Sequence, residues 1–260
     1  MRGLASALIL LLACGPLSAD PALDELVKAY PDHLQSHDGE TLIWTDGTRM
    51  KVSDGKRDKS FEELLNAPDI LDQFSMPYPL GFTGVPARNA DPGRIRYEPL
   101  FAKMYGDCRK GEVKAKLVRI PWLPKRGGGT VQVTSVNGVD RKLAAVSRDL
   151  EKLPADMTKY LVPSAGTYHC RTIAGTRRLS VHAFGAAIDL STKFGDYWQW
   201  AGKGKEPVYR NRFPREIVEV FERHGFIWGG TWYHYDTFHF EYRPELIGLA
   251  RRGWPKPAPQ

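Results

Sequence analysis

Two imidazoles and two carboxylates in the C-terminal half of the chain carry its chemistry. His182 and Asp189 lie in Ser180-Val181-His182-Ala183-Phe184-Gly185-Ala186-Ala187-Ile188-Asp189. Asp236 and His239 follow in Trp232-Tyr233-His234-Tyr235-Asp236-Thr237-Phe238-His239-Phe240-Glu241. Taken singly, a histidine beside small residues or an aspartate in an apolar run is ordinary. Taken together, two imidazoles and one carboxylate with a fourth position open match a catalytic zinc site made of His182, Asp189 and His239. Zinc held this way lowers the pKa of a bound water and polarises a carbonyl. Such chemistry also needs a group that moves a proton, and Asp236, three residues before His239, is placed to supply it.

Those side chains need rigid elements beneath them. Ala186-Ala187-Ile188-Asp189-Leu190 is apolar apart from its carboxylate and predicts a buried strand. Alternation puts Gly185, Ala187 and Asp189 on one face, where the small residues leave space beside the aspartate. A carboxylate there is costly unless a cation or several donors meet it. Phe238-His239-Phe240-Glu241-Tyr242 predicts a second strand, with His239 and Glu241 on one face and the aromatic residues on the other. Two strands that each present a ligand-type side chain from an apolar setting would hold a metal on a stiff frame. A purely structural zinc site would need a fourth protein ligand, for which His234 and Glu241 are the nearest residues.

This block resembles the zinc D-alanyl-D-alanine carboxypeptidase family, the VanY-like group that shares its fold with hedgehog signalling domains. The family pattern Ser-x-His-x-x-Gly-x-Ala-x-Asp is met by Ser180, His182, Gly185, Ala187 and Asp189. Its Trp-rich turn and Asp/Glu-x-x-His are met by Trp228-Gly229-Gly230-Thr231-Trp232, Asp236 and His239. The resemblance covers about 168–244. It implies zinc on His182, Asp189 and His239, with Asp236 as catalytic base and acid. It also implies Arg171 as the group that stabilises the developing oxyanion, a role for which Arg177 and Arg178 compete. Ser180 and Trp232 are expected to line the substrate site. The expected substrates are peptidoglycan stem peptides, cut at a terminal D-Ala-D-Ala bond. Asp236 departs from the Glu of dipeptidase-like members and matches the endopeptidase-like branch, so an internal L-Ala-D-Glu bond is the alternative. Hedgehog-like relatives keep the fold without peptidase activity, which makes a silent zinc-containing wall-binding module a third reading. Retention of Asp236 and Arg171 speaks against that one.

The rest of the chain sets the context. At 260 residues, 42% of them hydrophobic, it is long and apolar enough to bury a sizeable core. Arg2, the apolar run Leu4–Ala13, the Gly15-Pro16 break and Ser18-Ala19 form an export signal over 1–19, with cleavage after Ala19. Lipidation of Cys14 is the second reading, although Leu12 fits the lipoprotein box poorly. Residues past the leader hold no membrane span. Export to the periplasm or cell envelope leaves Cys108 and Cys170, an even count in an oxidising compartment, which implies one disulfide. Two buried free thiols are the other reading. The formal charge of +7 falls to +6 when Arg2 leaves with the leader (+7 − 1), and a basic exported protein is drawn towards anionic surfaces. The basic residues are scattered and no nucleic-acid motif accompanies them, which argues against nucleic acid.

The predicted organisation is an accessory segment over 20–95, mainly helical, followed by a peptidase domain over 96–254 and a solvated tail over 255–260. Helices are predicted at Pro21–Tyr30, capped by Asp20, and from Ser60, where Glu63 completes a capping box. Further helices are predicted at Arg141–Leu153 and Asn211–His224, the latter stopped by Gly225. Strands are predicted at Thr41–Thr45, Lys116–Ile120 and Thr130–Thr134. The fold class that results is α+β, with a central antiparallel sheet flanked by helices.

Overall fold

The computed structural model describes residues 20–81, 84–202 and 206–253. The predicted leader with Cys14, and the tail 255–260, lie outside the described residues. The chain folds as α1 (Pro21–Ala29), β1 (Leu34–His37), β2 (Thr41–Trp44), β3 (Arg49–Lys51), α2 (Phe61–Asn66), α3 (Glu98–Tyr105), β4 (Leu117–Pro121) and β5 (Thr130–Thr134). It continues with α4 (Val139–Leu150), α5 (Thr158–Leu161), β6 (Ala187–Asp189), α6 (Arg215–Arg223), β7 (Phe226–Trp228), β8 (His239–Tyr242) and α7 (Pro244–Arg251). The class is α+β, as expected.

The single central sheet is corrected to three small antiparallel sheets, ordered β1-β2-β3, β4-β5 and β6-β8-β7. None of the strands exceeds five residues, so each sheet stays local and helices and turns fill the space between them. The mainly helical reading of 20–95 is corrected too, because a three-stranded sheet sits between α1 and α2. Leu34-Gln35-Ser36-His37 carries no β-branched residue and breaks register between Leu34 and Ser36, while β3 is a short edge of Arg49-Met50-Lys51. Only β2, with Ile43 and Trp44, has the composition that announces a strand.

Local chemistry explains the helices. Asp20 accepts hydrogen bonds from the amides of Ala22 and Leu23 and so caps α1. At α2 the Ser60 hydroxyl accepts from the Glu63 amide, and the Glu63 carboxylate accepts from the Ser60 amide. The fourth predicted helix starts late, at Arg215, because Pro214 keeps extended backbone as the cap and disfavours helix in the residue before it. Its buried face of Ile217, Val218, Val220 and Phe221 packs on β7 and β8, with the Phe221 and Phe240 rings stacked at 3.9 Å.

One hydrophobic cluster runs through the molecule, from Leu23 and Leu26 of α1 through Leu143 and Val146 of α4 to Phe240 of β8. The first and last helices meet. Glu25 of α1 lies over Gly248 of α7 and pairs with Arg252 at 2.9 Å, and the Tyr30 hydroxyl donates to Glu245 at 2.7 Å. Cys108 and Cys170 form a disulfide with Cα atoms 5.7 Å apart, which settles the choice between bridge and free thiols in favour of the bridge. No helix of the described residues is long and apolar enough to cross a membrane.

Candidate active site

β6 and β8 place two of the three candidate ligands. Their register sets Asp189 directly opposite His239 and Ala187 opposite Glu241. Facing residues of an antiparallel pair share a face, so the alternation read from sequence becomes a juxtaposition in space. The third ligand sits on the turn that leads into β6. Ser180 opens that turn, its hydroxyl accepting from the His182 amide at 3.4 Å, and Gly185 closes it with φ of 69°. A Cβ on Gly185 would meet the Leu117 side chain at 2.8 Å and the Thr134 amide at 3.0 Å, so glycine is required both for the left-handed turn and for its packing.

The three candidate ligand atoms converge. His239 Nδ1 lies 2.9 Å from Asp189 Oδ1, and His182 Nε2 lies 3.2 Å from both. Donors about 2.1 Å from a tetrahedral ion are roughly 3.4 Å apart, so the cluster has the size of such a site. The imidazoles are also set in ligand tautomers. His182 Nδ1 donates to the Thr167 carbonyl, leaving Nε2 free to face inward. His239 Nε2 donates to Glu241 Oε2 at 3.2 Å, leaving Nδ1 to face Asp189. Outer partners of this kind fix ring orientation and raise ligand basicity.

Glu241 therefore stands behind His239 and not beside it as a ligand. It is 1% exposed, with Arg96 at 3.6 Å and Arg243 at 3.4 Å. Burial acts to raise its pKa, but Arg96, the hydrogen bond from His239 and Arg243 together hold it down to about 2. Arg243, fully buried, passes the chain of charge on to Glu245 and hence to Tyr30 of α1. His234 is likewise outside the cluster: its Nδ1 pairs with Asp91 at 2.7 Å. Neither residue completes a four-ligand structural site.

The cluster opens onto a cavity of about 90 Å³ whose lining includes Arg94, Arg171, Ser180, Trp232 and Asp236. Asp236 hangs from the Trp-rich turn. Its amide donates to the Gly229 carbonyl at 3.0 Å, and a Cβ on Gly229 would lie 2.6 Å from the Asp236 carbonyl, so the turn closes only over glycine. Burial first, and then the charge of Asp189, push its carboxyl up to about 8. Among the described residues Asp236 Oδ1 is buried with no hydrogen-bond partner. Arg171 is exposed at the rim. Among the described residues its guanidinium makes no hydrogen bond or ion pair, while its carbonyl accepts from the Ser180 amide at 3.1 Å and its neighbour Cys170 is held by the disulfide. Arg177 and Arg178 line a neighbouring cavity, leaving Arg171 as the one of these three arginines at the cluster. Trp232, 5% exposed, lays its ring 5.6 Å from that of His239 and donates from Nε1 to the Pro92 carbonyl at 2.7 Å.

Sequence reasoning missed Arg94 and Arg96, which line the cavity, and the buried Asp91 that pairs with Arg94 at 2.6 Å. Asp91 lies inside the Gly/Pro-rich stretch Pro79–Gly93, which reads as a boundary, and Arg94 and Arg96 directly follow it. No periodicity or motif connects them with residues some ninety positions further on.

Residues 174–242 match the model of a family described as D-alanyl-D-alanine carboxypeptidase. The matched stretch contains His182, Asp189, Asp236 and His239 and supports a peptidase that acts on the cell wall. It spans about a quarter of the chain, and Arg171, Arg94 and Thr167 lie outside it. No curated protein and no solved structure matches the chain.

Proposed function

We propose that the protein is an exported zinc peptidase that hydrolyses peptidoglycan stem peptides at a terminal D-Ala-D-Ala bond. One observation carries this reading: three ligand atoms within 4.8 Å of one another border a cavity that also holds a buried, unpartnered carboxylate and an unpaired guanidinium. The donor set of two tautomer-fixed imidazoles and one carboxylate suits zinc with a position left for substrate. When bound, zinc would lower the pKa of water and polarise the scissile carbonyl.

The chain's own residues supply the remainder. Asp236 takes a proton from the attacking water and returns it to the leaving amine, a role that suits a carboxyl whose burial keeps its proton affinity high. Arg171 faces the oxygen on which negative charge develops as the carbonyl becomes tetrahedral. Glu241 and Thr167 hold the two imidazoles in place. The disulfide suits an oxidising compartment, which supports export. The shorter Asp236 in place of glutamate favours a second reading, cleavage of an internal L-Ala-D-Glu bond by the same groups.

The test uses zinc-loaded protein and muropeptides of defined stem length, with products identified by mass spectrometry. Release of one terminal D-Ala, abolished by Asp236→Ala and by chelation, is expected. Cleavage after L-Ala would move the substrate to the second reading. Absence of any cleavage at one zinc per chain would overturn the peptidase assignment and leave a wall-binding module.

A further inference from the structure

A second cavity, of about 300 Å³, adjoins the catalytic one, and Arg94 and Arg96 line both. Its apolar surfaces come from Leu65, Phe101 and Phe184, and its remaining cations are Arg177 and Arg178. Most charges here are already engaged. Arg94 pairs with Asp91, Arg96 with Glu241, and Glu98 accepts from Arg109 at 3.2 Å and from the Leu179 amide at 2.9 Å. Arg178 differs. Among the described residues its side chain has neither a hydrogen bond nor an ion pair, and its Nε is buried without an acceptor. Burial, then repulsion from Arg96 and Arg94, push its pKa down to about 10. Among the described residues Arg177, next to it, is also without an ion pair.

A partly buried guanidinium beside two others is costly to keep unpaired, so the fold holds an uncompensated positive charge one wall away from the reacting groups. The planar fork of a guanidinium fits a carboxylate through two parallel hydrogen bonds. Phosphate offers the same fit, but the aromatic and aliphatic lining and the shared wall with a peptide site favour a carboxylate on a short aliphatic stem. We propose that Arg178, assisted by Arg177, binds a carboxylate that the peptide substrate carries away from its scissile bond, making this cavity a specificity subsite for acidic stem peptides. The proposal rests on the peptidase reading for the identity of its ligand.

Its test measures binding, so that it does not depend on turnover. Zinc-loaded Asp236→Asn protein is titrated calorimetrically with a stem pentapeptide whose side carboxylates are free, and with the same peptide amidated at those positions. The free-acid peptide is expected to bind about tenfold or more tightly, as one charge-assisted pair confers. Adding Arg178→Gln should bring the two peptides to within about twofold, and Arg178→Lys should restore part of the difference. Arg119→Gln, which removes an exposed charge from β4, should leave the ratio intact. Equal binding of both peptides, or an equal loss for both on Arg178→Gln, would overturn the subsite. If the unsubstituted protein cleaves neither peptide while the free acid still binds better, the subsite stands and the peptidase reading falls.

Discussion

At the scale of single residues, the arrangement separates groups that hold the site from groups that would act in it. Asp236→Asn keeps the shape of the side chain and removes its basicity, so kcat should fall by roughly 10² to 10⁴ with zinc content unchanged at one per chain. Glu241→Gln acts one layer out. Losing the carboxylate that orients His239 should weaken zinc about 10- to 100-fold, read by competition with a chelator of known affinity. The raised pKa of Asp236 also makes a pH statement about the metal-free protein. An unfolded carboxyl titrates near 3.8 and the folded one at about 8, so between these values the native state binds more protons. Stability therefore falls as pH rises through that window. Metal-free Asp236→Asn, which has no such proton to lose, should gain in Tm over the parent at pH 8 relative to pH 5. A parallel pair of melting curves would refute this. The ligand residues were legible because their types and spacing are unusual in apolar strands. Arg94 and Asp91 were not, since an arginine behind a glycine-rich stretch looks like any surface cation until the fold brings it to the cavity.

Among the elements, α6 bears most directly on the site, because it backs the strand that carries His239 and Glu241. Phe221 stacks on Phe240 from behind, both rings fully buried. Phe221→Ala should cost about 3–5 kcal/mol in denaturant unfolding, since a ring-sized cavity opens in a packed core. Helices of this kind could be read closely from sequence. Capping residues, a proline near the start and a glycine at the end each act within one turn, and their effect does not depend on distant partners. Strands fared unevenly for the opposite reason. β6 and β8 are three and four residues long, yet period-2 alternation marks them, whereas β1 and β3 form only because β2 lies between them. How many sheets the strands would make depends on pairings across tens of residues, which local pattern does not encode.

For the molecule as a whole, long-range ties dominate. The disulfide joins positions 62 apart in sequence, and a loop of that length implies about 4 kcal/mol from restriction of the unfolded chain. Replacing both cysteines by serine should lower stability by about that amount, and its local effect should fall on the segment around Arg171, detectable as faster amide exchange at 169–180. The widest tie is the meeting of α1 with α7, where Tyr30 reaches Glu245 across 215 positions. A growing chain cannot make that contact until its last helix exists. α1 meets β1 early in synthesis, but the part of its surface that packs on α7 stays uncovered until the end, and a chain ended after Arg243 never covers it. Such a chain should be insoluble, while the full one should refold in milliseconds to seconds, the slow range of topologies that wait for distant ends to meet.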